Sequence, residues 1–211
     1  TIVVSPAGGG TPRVVANSQN GNGTKNVFAI GNGAACAIAS AGGSGLVALG
    51  AAAVSVVAES GAVVATTAVQ VVNVAPAVFS ANSTGRGPAA GVILRIKPDG
   101  RQIYEPVSSC NSAGECTTVP IDLTSADQVF LLLFGSSIRG RNALSTVTAQ
   151  LGDFSQSGRA LEVLYAGPQP DFAGLDQITL RLPAGLSGIG DVPVALRADA
   201  VIANPVTINI R

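Results

Sequence analysis

Apolar and polar positions alternate along much of this chain with a period of two, in short runs. Ala53-Val54-Ser55-Val56-Val57-Ala58 leads into the turn Glu59-Ser60-Gly61, and Ala62-Val63-Val64-Ala65-Thr66-Thr67-Ala68-Val69-Gln70-Val71-Val72-Asn73-Val74 follows until Pro76 stops it. Successive side chains of a strand point to opposite faces, so β-branched residues interleaved with Thr and Gln predict strands with one wet face. The same reasoning predicts strands over residues 91–97, 118–123, 128–134, 147–151, 160–165, 177–182, 192–198 and 206–210. Pro120 has no N–H to give to a ladder, which places the 118–123 strand at a sheet edge. Between the runs stand Pro98-Asp99-Gly100, Gly167-Pro168 and Pro183-Ala184-Gly185, all turn chemistry. Many short strands at regular spacing, with almost no helical period, predict an all-β sandwich.

Residues 27–58 carry no charge, which raises the question of a membrane span. Six glycines (Gly31, Gly33, Gly42, Gly43, Gly45 and Gly50) interrupt the stretch, and its bulk is Ala and Ser. A spanning helix needs about 20 strongly apolar residues, so strands separated by glycine turns are expected and no membrane span.

Composition then removes most functions. The 211 residues suit one large domain or two small ones, and 47% hydrophobic content excludes intrinsic disorder. Only 11% are charged, so the surface is largely neutral, and twelve basic residues cancel twelve acidic ones. That balance gives no electrostatic grip on nucleic acid or anionic lipid. The chain has no His, which excludes His-based triads and His-ligated metals. It also has no Met, even at position 1, so Thr1 reads as the start of a processed product or a fragment, with a cleaved secretory signal the simplest cause.

The cysteines point to the same compartment. Cys110 and Cys116 bracket the polar loop Asn111-Ser112-Ala113-Gly114-Glu115, a spacing suited to a disulfide at a hairpin tip and hence to an oxidising environment. Zinc needs more ligands than two sulfurs, and none are near. Cys36 is left over, either a small buried hydrophobe or a partner for another chain.

No catalytic constellation emerges, and no cofactor or metal is implied. The nearest acid pairs are Asp122/Asp127, Asp171/Asp176 and Asp191/Asp199, but sugar-cleaving sites also supply aromatic platforms, and this chain has no Trp and two Tyr. Asp171 and Asp176 flank a loop too poor in acids for a calcium site. The glycines between Gly42 and Gly50 miss the dinucleotide-binding spacing and its following acid. Arg139 and Arg141 form the one tight basic pair, either solvated or holding a carboxylate from a neighbouring loop or subunit. Asn22-Gly23-Thr24 and Asn82-Ser83-Thr84 match the glycosylation sequon, as chance also produces.

Four segments carry a family resemblance. They are Val74-Ala75-Pro76-Ala77-Val78-Phe79-Ser80-Ala81-Asn82, Leu132-Leu133-Phe134-Gly135-Ser136-Ser137-Ile138-Arg139-Gly140-Arg141, Val163-Leu164-Tyr165-Ala166-Gly167-Pro168 and Gly174-Leu175-Asp176-Gln177-Ile178-Thr179-Leu180-Arg181-Leu182-Pro183. In order and spacing, residues 74–211 resemble the Solibacter-type C-terminal domain family of acidobacterial secreted and surface proteins. The resemblance implies an immunoglobulin-like β-sandwich on an exported protein. That family has no established catalytic residues, so no active site is carried over. Residues 44–74 look like the family's preceding unit, but residues 32–43 lack its usual Gln-Ile-Asn before Pro. Residues 1–73 are therefore read as an N-terminal strand, a glycine-rich tether and a shortened β unit, ahead of a complete sandwich over 74–211.

Thr1-Ile2-Val3-Val4-Ser5 is short and apolar, and Pro6-Ala7-Gly8-Gly9-Gly10 tethers it loosely. Such a segment is either an edge strand of its own domain or a strand donated to a neighbour, and a donation that does not close makes a filament. The subunit-interface candidates are Thr1 to Ser5, Cys36, Arg139 and Arg141. The leading expectation is a non-catalytic, extracellular or cell-surface structural protein that self-associates by strand pairing into a filament or layer, as a homo-oligomer or polymer. The alternatives are a monomeric module that binds polysaccharide or a surface protein, and an accessory domain of a secreted enzyme.

Overall fold

The computed structural model describes residues 2–7, 13–16, 50–155, 158–172 and 174–211, and over them the chain is all-β, the expected class. Helical geometry among the described residues is confined to two single 3-10 turns, Leu144–Thr146 and Ala184–Leu186.

Four strands form one antiparallel sheet: β1 (Ile2–Pro6), β2 (Arg13–Ala16), β3 (Gly50–Val57) and β4 (Val63–Val71), in the order β2-β1-β3-β4. The turn expected at Glu59-Ser60-Gly61 joins β3 to β4. Gly61 adopts φ +85°, open to glycine at little cost, and Ala58 N–H donates to Ala62 O at 2.8 Å.

The rest of the chain builds the sandwich. Its strands are β5 (Ala77–Val78), β6 (Gly91–Ile96), β7 (Gln102–Pro106), β8 (Ser108–Cys110), β9 (Cys116–Thr118), β10 (Pro120–Ile121), β11 (Gln128–Ser136), β12 (Val147–Leu151), β13 (Arg159–Pro168), β14 (Asp176–Leu182), β15 (Gly190–Ala198), β16 (Val201–Ile202) and β17 (Val206–Ile210). Hydrogen bonds run continuously through β10-β17-β15-β12-β13-β14-β11-β6-β7, with β16 added on β15 and β5 on β11. β13 turns the corner of this curled sheet. Its first residues pair with β12 (Leu151 with Arg159, Ala149 with Leu161), and from Glu162 onward it pairs with β14, with a register shift between Val163 and Tyr165. A bulge of that kind bends a strand and lets one chain segment serve two layers.

The alternation read from the sequence fills the interior. Ile93, Leu131, Leu133, Ile178 and Leu180 join Val194, Leu196, Ile208 and Ile210 in one buried cluster. Each such side chain contributes about 1.5–3 kcal/mol on removal from water. β11 departs from strict alternation: Val129 to Leu133 are all buried, so its central residues are covered on both faces.

One expectation needs correction. The 118–123 strand is instead two pieces, β9 and β10, and Val119 N–H turns aside to Val107 O at 2.9 Å. Pro120 does sit on an outermost strand, pairing in parallel with Asn209 of β17. The run Gln102-Ile103-Tyr104-Glu105-Pro106, which lies outside the strands predicted from sequence, forms β7, because pairing with β6 satisfies its backbone while its side chains stay mostly exposed.

Two glycines hold close backbone approaches. A Cβ on Gly135 would stand 2.2 Å from Ala77 O, and one on Gly140 would stand 2.1 Å from Asn73 O. The first lets β5 lie against β11; the second, with Ala75 N–H donating to Ser137 O at 3.2 Å, ties the exit of the β3–β4 hairpin to the sandwich.

Candidate functional site

The most unusual surface is the outer edge of β4. It is the terminal strand of the four-stranded sheet, nine residues long, and among the described residues no strand pairs with that edge. Its sequence, Val63-Val64-Ala65-Thr66-Thr67-Ala68-Val69-Gln70-Val71, contains no charge and no proline. Val63 and Val64 are 62% and 68% exposed. Folded proteins ordinarily blunt a long edge with charge, proline, a bulge or brevity, since unpaired N–H and C=O groups template another strand, and β4 carries one of these devices, a register shift at its start where Val56 pairs with Ala65 and Val57 with Val63. The two edges of the sandwich sheet show such devices: β7 carries Glu105 and ends in Pro106, and β10 has two residues, one of them Pro120.

Pairing with β3 sets which side chains share a face. Val54 lies opposite Thr67, Val56 opposite Ala65 and Ala52 opposite Val69, which makes one face largely apolar. The other face brings together Ala51 with Gln70, Ala53 with Ala68, and Ser55 with Thr66, whose hydroxyls hydrogen-bond at 2.9 Å.

The N-terminal candidates sit beside this hairpin. Ile2–Pro6 is β1, paired with β3 through Ile2↔Val56, Val3↔Ser55, Val4↔Val54, Ser5↔Ala53 and Pro6↔Ala52, and with β2 on its other side. It is an inner strand of its own chain's sheet rather than an edge. Thr1, Cys36, the Asn22 sequon and the glycines from Gly42 to Gly45 lie outside the described residues.

Cys110 and Cys116 are directly opposed in the β8–β9 hairpin and form a disulfide. Arg139 holds a carboxylate of the same chain: its Nε donates to Asp176 Oδ1 at 2.6 Å and its Nη2 to Leu175 O at 2.6 Å. Arg141 makes no such pair; its Nε is buried without a hydrogen-bond partner, and a Cβ on Gly167 would stand 3.8 Å from its Nη1.

Among the described residues, the acids paired by sequence proximity are each held by their own hydrogen-bond donors. Asp122 accepts from Thr124 and from Arg211 Nη2, and those hydrogen bonds, Thr124's first, draw its carboxyl down to about 2. Asp127 is held below the usual carboxylate range by Lys97 Nζ at 2.9 Å and by Ser125. Asp191 is lowered by Thr118 and then Asn209. Asp171 accepts from Gln169, and Asp199 accepts from Asn142 N–H and from the Thr146 hydroxyl.

Reasoning from sequence missed a buried charge, Arg95. It is 5% exposed on an otherwise apolar strand, and forks onto both oxygens of Glu105 at 2.8 and 3.0 Å. It also reaches Asp122 O, Ser125 and Asp127. The Glu105 bond raises Arg95 and lowers Glu105, so both stay charged. A basic residue inside the run Gly91-Val92-Ile93-Leu94-Arg95-Ile96 was the available signal. The cluster is fully paired and pins the 122–127 loop.

Among the described residues no three His, Cys, Asp or Glu side chains are placed to hold a metal, and no helix is long and apolar enough to cross a membrane. Compared with protein-family models, curated proteins and solved structures, the chain shows no match.

Proposed function

We propose that this chain is a non-catalytic, exported structural protein that self-associates by strand pairing into an extracellular filament or surface layer. The observation that carries the reading is the β4 edge: nine uncharged residues, unpaired among the described residues and strongly exposed. Backbone groups in that position gain partners only from water or from another strand, and apolar flanking side chains favour the strand. The disulfide between Cys110 and Cys116 supports export to an oxidising compartment. The resemblance of residues 74–211 to the Solibacter-type domain family supports the same location. The edge offered for association is β4, with the N-terminal strand serving as the inner support of its sheet.

The test is light scattering and electron microscopy of the native chain, beside Val64→Lys. The wild type should form particles well above 20.8 kDa with a regular repeat. Val64→Lys, at an exposed position, should keep the circular dichroism of the fold and remain monomeric. A wild-type chain that stays at 20.8 kDa at every concentration would overturn the proposal in favour of a monomeric surface module that binds polysaccharide or protein.

A further inference from the structure

We propose that the outer face of β13 and β14 holds a carboxylate-bearing saccharide, with Arg141 taking the carboxylate and Tyr165 the sugar ring. The inference is independent of the strand-pairing reading and holds for a polymer subunit and a monomer alike.

Strand register brings the groups together. Tyr165 pairs with Thr179 and Gly167 with Gln177, beyond the register shift in β13, so these four residues stand on one face. The opposite face carries Ala166, Ile178 and Leu180 into the core. Gln177 Nε2 donates to Thr179 Oγ1 at 3.1 Å, which keeps an amide and a hydroxyl side by side on the outer face. Arg141 reaches the same spot from the 138–141 loop. A Cβ on Gly167 would stand 3.1 Å from Tyr165 Oη and 3.8 Å from Arg141 Nη1, so the missing side chain lets the ring tip and the guanidinium lie next to each other. Tyr165 Oη donates to Pro168 O at 2.6 Å, which fixes the ring while leaving it 38% exposed.

Among these cations Arg141 is the one without an acid. Arg139 is held by Asp176, and Arg181, on the same outer face, by Glu162. Arg141 Nε is buried with no hydrogen-bond partner among the described residues. A guanidinium keeps its charge at any ordinary pH, so its buried donor calls for an acceptor that the fold does not supply. Arg197 also has a buried Nε, but its guanidinium lies over the Phe154 ring at 4.5 Å. Nor does the chain keep an idle aspartate for a second copy to offer: each one accepts a hydrogen bond within its own chain. The acceptor is therefore sought outside the chain.

The surroundings of Arg141 select the ligand class. The planar fork of a guanidinium matches a carboxylate. A half-exposed aromatic ring packs against the C–H face of a sugar, and the neighbouring amide and hydroxyl suit its hydroxyl groups. An acidic sugar uses all four groups, whereas an acidic peptide uses only the first.

Titration with oligogalacturonate tests the site, followed by nitrogen–proton NMR of the Arg Nε–H and Gln side-chain signals, beside the same oligosaccharide as its methyl ester. The Arg141 Nε–H and Gln177 amide signals should shift saturably with the acid and stay in place with the ester. Arg141→Gln should weaken binding by about tenfold or more, as loss of a charged hydrogen bond does, and Tyr165→Ala should weaken it as well. Arg159→Gln, whose Nη1 is engaged with Gly185 O, should bind as the wild type does. Circular dichroism checks that each variant keeps the fold. Shifts that do not saturate, or that survive in Arg141→Gln, would overturn the site. Acetate or a short polyglutamate binding as tightly as oligogalacturonate would overturn the saccharide assignment.

Discussion

Arg139 and Asp176 clamp the end of β11 to the start of β14. The Asp176 carboxylate is fully buried, and it accepts from Ile138 N–H at 2.7 Å, Arg139 N–H at 3.1 Å and Arg139 Nε at 2.6 Å. A buried carboxylate survives only when paired and hydrogen-bonded, and these donors supply both. The clamp fixes the course of the 138–141 loop, and with it Gly140 against Asn73, where the chain passes from the β3–β4 hairpin into the sandwich.

Removing the acid should therefore cost more than removing the base. Asp176→Ala leaves two backbone donors and a guanidinium without their acceptor, and should lower stability by about 3–5 kcal/mol, as for other broken buried pairs. Arg139→Ala should cost less, since its side chain is 38% exposed and Asp176 keeps two N–H donors. Urea unfolding of both variants checks the order, and an equal or reversed ranking would count against the clamp.

Acid should weaken the fold in a defined window. Asp122 is drawn down to about 2, and Glu105, Asp127, Asp191 and Asp99 are also lowered from their ordinary values by hydrogen bonds and cations. A depressed folded value means stabilisation that is complete above the unfolded range near 4 and is lost as pH falls towards the folded value. With no His in the chain, nothing of that kind titrates between pH 5 and 8. The melting temperature should be level from pH 8 to 5 and decline from about 4 to 2. A decline already under way between pH 8 and 5 would contradict this assignment.

Loss of the disulfide should be a local event. The bond joins residues six apart, and loop-closure entropy for so short a loop amounts to about 2 kcal/mol. Reduction, or Cys110→Ser with Cys116→Ser, should free the β8–β9 hairpin while β11 and β14 keep their protection. Hydrogen exchange followed by residue reads both parts.

Gly135→Ala should displace β5. The added methyl would stand 2.2 Å from Ala77 O, so the Gly135↔Val78 and Ser136↔Ala77 pairs must open and uncover buried Val78. A loss of about 1–3 kcal/mol is expected from such overpacking. Gly185→Ala meets nothing within 4 Å and should be neutral within about 0.5 kcal/mol. Thermal unfolding of the pair separates steric conflict from a general intolerance of alanine.

Local chemistry carried much of the fold. Alternating Val, Leu and Ile wrote β12 and β17 to the residue, because a period of two along a short run is a property of the strand alone. Glu59-Ser60-Gly61 specified its turn, and Pro120 its outer position, through constraints each residue carries with it. β7 was illegible: Gln102, Tyr104 and Glu105 lack the pattern, and only β6 beside them makes them a strand. Arg95 stood out in its run, but its partners Glu105, Ser125 and Asp127 come from elsewhere in the chain. The same holds for the candidate site. The apolar run of β4 is written in its residues, whereas its place at the end of the sheet depends on β3 pairing with β1 along its other edge. Whether a hydrophobic strand is interior or an open edge is decided by which neighbours the folded chain supplies, and those contacts span separations that no local pattern encodes.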